Sequence, residues 1–268
     1  MILKNDSTLS KAYKEHHVFK EVEEMMDFYE AVSDRAFCVV PLGTKAFLNY
    51  VSYYYMSIQG TLDSIKTLLT TGRITDAFVL VRKMFDDILT EIYLDITLKD
   101  KFDVFSNMYV EEVQQWLDSS IRIPSIKKIL KTLQRSTQTQ NLYPYFDWDT
   151  DLERYRKLLD NSVHSNGFNH VLLNCNTVYL KNKREKQLEN ISEILNQLMT
   201  IQVAFVFHLN PTYFMASDYM DYMECGEIPP EGSENRIATF AQTAFDKYVK
   251  QGSKLAEYIK ETCRLEIK

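Results

Sequence analysis

Glycine and proline are scarce in this chain, at 7 and 6 of 268 residues. Collagen-like, Gly-rich-linker and Pro-rich readings are therefore excluded. So few turn formers also weigh against an all-β fold, which needs a turn every ~8–12 residues. Cysteine is scarce too. Cys38, Cys175, Cys225 and Cys263 lie far apart and form no C-x-x-C pair. That spacing points away from a zinc site or a disulfide framework and toward buried free thiols in a reducing compartment. No uncharged apolar run reaches the ~18–20 residues of a membrane span. The best stretch, Leu198 to Leu209, is short and contains His208. Met1 to Glu24 is rich in Lys and Glu and has no apolar core of a secretory signal. A cytoplasmic protein that makes no membrane contact is the expectation.

Positive charge is not in excess. Lys and Arg number 31 against 37 Asp and Glu, a net charge of -6. Any nucleic-acid contact must then be a local patch. Several chemistry-bearing motifs are missing as well. There is no Gly-rich phosphate loop, dinucleotide fingerprint, H-E-x-x-H, G-x-S-x-G or kinase signature. An E-x-x-H di-iron pattern is also absent. Neither a cofactor nor a metal is expected. Side-chain acid/base chemistry, or binding, remains.

What is present is helical periodicity, in a chain 45% apolar and 25% charged. Helices are predicted over about 14–35, 44–71, 74–98 and 102–117. A short one starts at Pro124, a favoured first helical position. The next opens at a Thr150-x-x-Glu153 capping box and stops near Asn166-Gly167. Residues 169–178 could form a short extended piece. Further helices are predicted over about 184–209, 213–224 and 235–265, with a Pro/Gly loop at 225–234. The clearest stripe is Ile74, Phe78, Val81, Phe85, Ile88, Ile92 and Ile96, which marks a core-facing helix. Gly72 sits before it as a helix stop. No internal repeat or domain linker is visible. The expectation is a single all-α domain over 1–268, a bundle of long antiparallel helices with a C-terminal helical extension over about 211–268.

Two polar groupings stand out. Arg82 borders the apolar stripe, and Asp86 follows one turn later. Such a pair is either a rim salt bridge or part of a polar cluster inside the bundle. In the second grouping, Arg156, Asp160 and His164 share roughly one helical face. Asp160 could pair with Arg156 and hold the imidazole, whose pKa it would raise. His164 also falls in a last helical turn, where the macrodipole favours its protonated form. A poised His with a cation suffices to cleave RNA without metal. The His moves the proton of the 2′-hydroxyl or leaving group, and the Arg stabilises the transition-state charge. A helix-end His satisfied structurally is the competing reading.

These residues resemble a known family. Gly72, Ala77, Arg82 and Asp86 fit G-x-x-x-x-A-x-x-x-x-R-x-x-x-[ED]. Leu159, Asp160, Val163, His164 and Asn166 fit L-[SD]-x-x-V-H-[SG]-N, with Tyr155 and Leu158 just before them. With Ile123-Pro124-Ser125-Ile126 and Lys127-Lys128-Ile129-Leu130, this resembles the HEPN superfamily, in the branch related to abortive-infection proteins. The likeness covers roughly Val51–Gly167, and the HEPN-like part would extend over about 44–210. It implies an all-α fold, a homodimer and metal-independent ribonuclease chemistry in a toxin or phage-defence role. A neutralising or defence-system partner protein would fit that role. The chain departs from the family's Arg–His spacing. Seven residues separate Arg156 from His164, and the position five before His164 is Leu159. Either Arg156 reaches across two turns, Arg82 supplies the cation, or the site is degenerate.

Lys127, Lys128 and Lys131, with Arg135, form a basic segment, and Lys181, Lys183, Arg184 and Lys186 another. Each is a solvated face or an RNA-holding patch. Asn161 and Asn166 are further RNA-contact candidates. The pair His16-His17 reads as solvated, His170 as a loop residue and His208 as a core or interface histidine. Tyr50, Tyr53, Tyr54 and Tyr55 crowd several faces of one helix, which suggests a partner surface. Two functions remain open. One is a metal-independent endoribonuclease, with His164 as acid/base, Arg156 or Arg82 on the phosphate and Asp160 orienting the His. The other is a non-catalytic HEPN-like module that binds RNA, nucleotide or a partner protein.

Overall fold

The computed structural model describes residues 9–36, 49–103, 110–175 and 183–268. The fold is all-α. Its helices are α1 (Lys11–Lys14), α2 (Val18–Ala36), α3 (Tyr50–Thr70), α4 (Ile74–Lys101), α5 (Glu111–Leu117) and α6 (Ile126–Arg135). They continue as α7 (Asp151–Val163), α8 (Phe168–Leu173), α9 (Lys183–Leu209), α10 (Asp218–Glu224), α11 (Thr239–Ala244) and α12 (Ser253–Thr262). Among the described residues the extended pairing comprises isolated bridges, such as the antiparallel one between Met215 and Ile237. No described helix is long and apolar enough to cross a membrane.

The chain forms two compact units. Unit 1 comprises Met1–Glu30, Tyr55–Ile88 and Asp147–Leu198; unit 2 comprises Ala31–Tyr54, Leu89–Phe146 and Met199–Lys268. The core of unit 1 follows the helical period. Tyr55, Ile58, Leu62, Ile65 and Leu69 of α3 are fully buried, as are Ile74, Ala77, Val81, Met84 and Ile88 of α4. Val18, Val22, Met25 and Tyr29 of α2 and Leu188, Ile191 and Leu195 of α9 complete it. Steps of three and four put these side chains on one stripe per helix.

Unit 2 is built on aromatics. Phe207 packs on Phe214 at 4.3 Å and on Phe245 at 5.6 Å, and Phe146 lies 5.8 Å from Phe205. The apolar run ending at Leu209 is explained here, because its residues from Met199 to Phe207 are buried on nearly every side. A helix that is apolar all round is a core helix. Tyr50 and Tyr54 lean on Trp116 of α5, at 6.0 and 5.8 Å. In unit 1, Tyr55 is wholly buried. Most of the tyrosine surplus is thus absorbed within the chain.

Several predicted boundaries shift, each for a local reason. The first helix is interrupted over Glu15–His17, so α1 and α2 are separate. The proposed start of the second helix at 44, Pro41, Cys38, Lys181, residues 104–109 and residues 176–178 lie outside the described residues. Gly72 does end α3. Its φ is +74°, and the amides of Gly72 and Arg73 bond the carbonyls of Leu69 and Leu68, a Schellman stop. Pro124 precedes α6, whose N-cap is Ser125. The Thr150/Glu153 capping box does not form. Asp147 accepts from the Thr150 amide at 3.1 Å and from its hydroxyl, and Glu153 turns to Arg156 instead. α7 ends at Val163, short of its predicted stop at Asn166-Gly167, with Ser165 in the left-handed region at φ +50°. The segment after Gly167, read as extended, begins with helix α8, so His170 is helical. The single C-terminal helix is in fact α11, a π-turn over Phe245–Val249, and α12 after Gly252. Of the described cysteines only Cys263 is buried; Cys225 is exposed and Cys175 intermediate.

Candidate functional site

The site lies in unit 1, where α4 meets α7. Leu152, Tyr155, Leu159 and Ser162 form the buried face of α7. That face fixes the helix so that Asp160 meets Arg82, which flanks the buried stripe of α4. The Arg82 Nε donates to Asp160 Oδ1 at 2.8 Å, and its Nη1 pairs with Asp86 on the next turn. The Arg82 side chain is only 15% exposed, against 31% for Asp160. Its guanidinium also lies 5.4 Å from the ring centroid of Phe85. Burial alone would lower the Arg82 pKa, but the hydrogen bonds and charges of Asp86 and Asp160 outweigh it and raise it.

Arg156 sits one turn before Asp160. Its Nε and Nη2 donate to the two oxygens of Glu153 at 2.9 and 3.0 Å, a bidentate fork. Its Nη1 lies 3.7 Å from Asp160 Oδ2. The fork raises the Arg156 pKa and lowers that of Glu153. Two guanidiniums thus face three carboxylates, those of Asp86, Asp160 and Glu153. Beside them the Tyr155 hydroxyl donates to Glu193 at 2.7 Å, and burial, aided by that carboxylate, pushes its pKa up to about 12.

His164 is exposed. It is the C-cap of α7, with φ −100° and ψ 8°, and its amide donates to the Asp160 carbonyl at 3.0 Å. Among the described residues no hydrogen bond or ion pair joins its imidazole to the network. The expected Asp160–imidazole contact is therefore not made. The physical reason is competition: Arg82 and Arg156 already hold both oxygens of Asp160, while His164 sits where the helix ends. Arg82, Asp86, Arg156 and Asp160 come together; His164 stands apart. Asn161 and Asn166 bond to each other, by a 3.4 Å side-chain contact and a 2.9 Å backbone bond.

The basic segments differ. Lys127, Lys128, Lys131 and Arg135 are all exposed on α6 in unit 2, while Ile129 and Leu133 are buried beneath them. Among the described residues none of the four is in an ion pair. The second segment is broken, because Arg184 is buried and donates to the Cys175 carbonyl at 3.0 Å.

Other polar sites escaped sequence reasoning. In unit 2, Gln202 donates to buried Glu91 at 3.0 Å, and Tyr50 donates to buried Asp95 at 3.3 Å. Burial raises the pKa of both Asp95 and Tyr50. The sequence signal was two acids, one turn apart, as the sole charges in the stretch Ile88–Leu98 of α4. His208 donates from Nε2 to the Gln138 carbonyl at 2.6 Å, and burial lowers its pKa. In unit 1, Asn174 accepts from the Thr75 amide at 2.9 Å and donates to Asp76 at 2.7 Å, which ties α8 to the start of α4.

Comparison with protein-family models, curated proteins and solved structures finds no match.

Proposed function

We propose that this chain is a HEPN-like helical module that binds RNA through the outer face of α6 without cleaving it. The observation that carries this reading is the charge on that face. Four exposed cations stand on a ten-residue helix that has no acidic residue, and no carboxylate neutralises them among the described residues. An acidic protein needs such a strip to hold a phosphate backbone. The α4–α7 network argues against catalysis. Each of its guanidiniums is held by carboxylates, so neither is free for a phosphorane-like charge. A homodimer and a neutralising or defence-system partner belong to the same proposal, on the strength of the resemblance.

One observation favours the second reading, a metal-independent endoribonuclease. His164 is exposed at the end of α7, with its ring unengaged among the described residues. For cleavage, RNA would have to draw Arg156, 28% exposed, away from Glu153.

Fluorescence anisotropy with labelled single-stranded RNA tests the first reading. Four phosphate contacts predict a log–log salt slope of about −3, from roughly −0.7 per contact. Charge reversal at Lys127, Lys128 and Lys131 together should abolish binding. Absence of binding at low salt, or binding that survives the reversal, would reject it. The same RNA incubated in EDTA decides between the readings. Cleavage leaving a 2′,3′-cyclic phosphate, slowed about 10²–10⁴-fold by His164→Ala, would establish the nuclease.

A further inference from the structure

The adjacent histidines His16 and His17 are not simply solvated. They lie in the break between α1 and α2, and α9 brings Glu189 to them across the whole of unit 1's sequence. Glu189 Oε2 is 3.0 Å from His17 Nε2 and 3.4 Å from His16 Nε2. One ligand atom from each of the three residues lies within 4.8 Å of the others. The two rings stack at 4.2 Å with 28° between their planes, so both present an edge to the same carboxylate oxygen. Tetrahedral coordination at ~2.0–2.1 Å places ligand atoms about 3.4 Å apart. The two gaps to Glu189, 3.0 and 3.4 Å, are close to that spacing.

We propose that His16, His17 and Glu189 form a binding site for a divalent transition ion, zinc first among them. Two imidazoles and one carboxylate suit zinc, copper or nickel better than magnesium or calcium, which prefer all-oxygen sites. Three protein ligands leave a position for water. His17 and Glu189 are 53% and 62% exposed, so an ion reaches the site from solvent.

The surroundings prepare His17 for this role. Its Nδ1 is 3.2 Å from Glu21 Oε1, one turn into α2. A proton on Nδ1 shared with Glu21 leaves Nε2 free for the ion, the usual outer-shell arrangement of a metal-bound histidine. Glu21 is itself fixed by the Ser192 hydroxyl, which donates to its other oxygen at 2.5 Å. Ser192 stands one turn beyond Glu189 on α9, so one helix supplies the ligand and braces the second carboxylate. A further carboxylate on this face of α9, Glu185, accepts from the Ser10 hydroxyl and holds α1 nearby.

His16 is the weaker ligand. Its Nδ1 accepts from the Val18 amide at 3.2 Å. Coordination through Nε2 moves the ring proton to Nδ1, and that hydrogen bond is lost. The ranking of ligands follows from this difference: His17 and Glu189 first, His16 after them.

The test uses the metal-free, tag-free full chain with the exposed thiol of Cys225 alkylated. Zinc is titrated in competition with a chromophoric chelator. One zinc per chain is expected. His17→Ala and Glu189→Gln should each weaken binding by more than about 100-fold, and Glu21→Gln by about 10-fold. His16→Ala should weaken it less than His17→Ala, and Glu15→Gln by less than about twofold. Copper(II) electron paramagnetic resonance should show two coordinated nitrogens in the wild type and one in His17→Ala. Zinc should raise the melting temperature of the wild type but not of Glu189→Gln. Circular dichroism establishes that each variant is folded. Absence of saturable one-to-one binding overturns the proposal. So does an affinity unchanged in His17→Ala and Glu189→Gln, or a nitrogen count that His17→Ala leaves intact.

Discussion

Arg82 of α4 donates to Asp160 of α7 at 2.8 Å, joining residues 78 positions apart in the sequence. It is the contact that turns two separate polar groupings into one network. Being only partly exposed, the pair falls between a surface bridge and a buried one.

Breaking that pair should be costly from either side. Arg82→Met and Asp160→Asn should each lower unfolding free energy by about 1–3 kcal/mol, because each leaves a partly buried charge with one of its two partners, Asp160 with Arg156 or Arg82 with Asp86. The double variant should lose less than the sum of the two. Urea denaturation of the four proteins in a double-mutant cycle measures the coupling. Strict additivity would show that the network is not cooperative.

Gly167 has φ +122° and ψ 143°, a region essentially reserved for glycine. A Cβ there would meet nothing within 4 Å. Gly167→Ala should therefore destabilise by about 1–3 kcal/mol through backbone strain alone. Ser165, at φ +50°, carries a milder version of the same strain. Ser165→Gly should leave stability unchanged or raise it by up to about 1 kcal/mol. Thermal melts of the two variants should move in these senses.

Asn174 serves as a cap from outside the helix it caps. Asn174→Ala removes the acceptor of the Thr75 amide and the donor to Asp76. A loss of about 1 kcal/mol is expected, the usual worth of a capping side chain. Hydrogen exchange should show faster opening at the first turn of α4.

His208 gives a pH signature. Burial lowers its pKa below the ordinary 6.5. Between the folded value and 6.5 the unfolded chain binds a proton that folded His208 refuses. Stability is therefore complete above about pH 6.5 and falls as the pH drops below it. His208→Gln keeps a donor for the Gln138 carbonyl and has no proton to bind. The melting temperature of His208→Gln should fall less between pH 7 and pH 5 than that of the wild type. Parallel curves would assign the acid sensitivity to other groups.

The sequence by itself determined the helical class. The steps of three and four from Ile74 to Ile88 and from Tyr55 to Leu69 are local facts, and each produces a buried stripe wherever the helix packs. Gly72 stops a helix by its own backbone freedom, so that boundary was legible as well. The Arg82–Asp86 pair was visible, since one turn of helix brings the two together whatever surrounds it.

Tertiary structure decided the rest, because a polar side chain takes its best partner from everything within reach and not only from its own turn. Even within one turn the outcome is a competition: Glu153 had the spacing for a capping box but meets the fork of Arg156, while Asp147 takes over the Thr150 amide, each three residues from its partner. Asp160 had a histidine four residues on, yet an arginine from another helix claims its oxygen. No periodicity links His17 to Glu189. They meet because the buried stripes of α2 and α9 fix the rotation of both helices, and that rotation fixes which polar residues face each other. Local spacing dictates which face of each helix is apolar and which charges pair within a helix, and the packing of those faces decides which charges of different helices become neighbours.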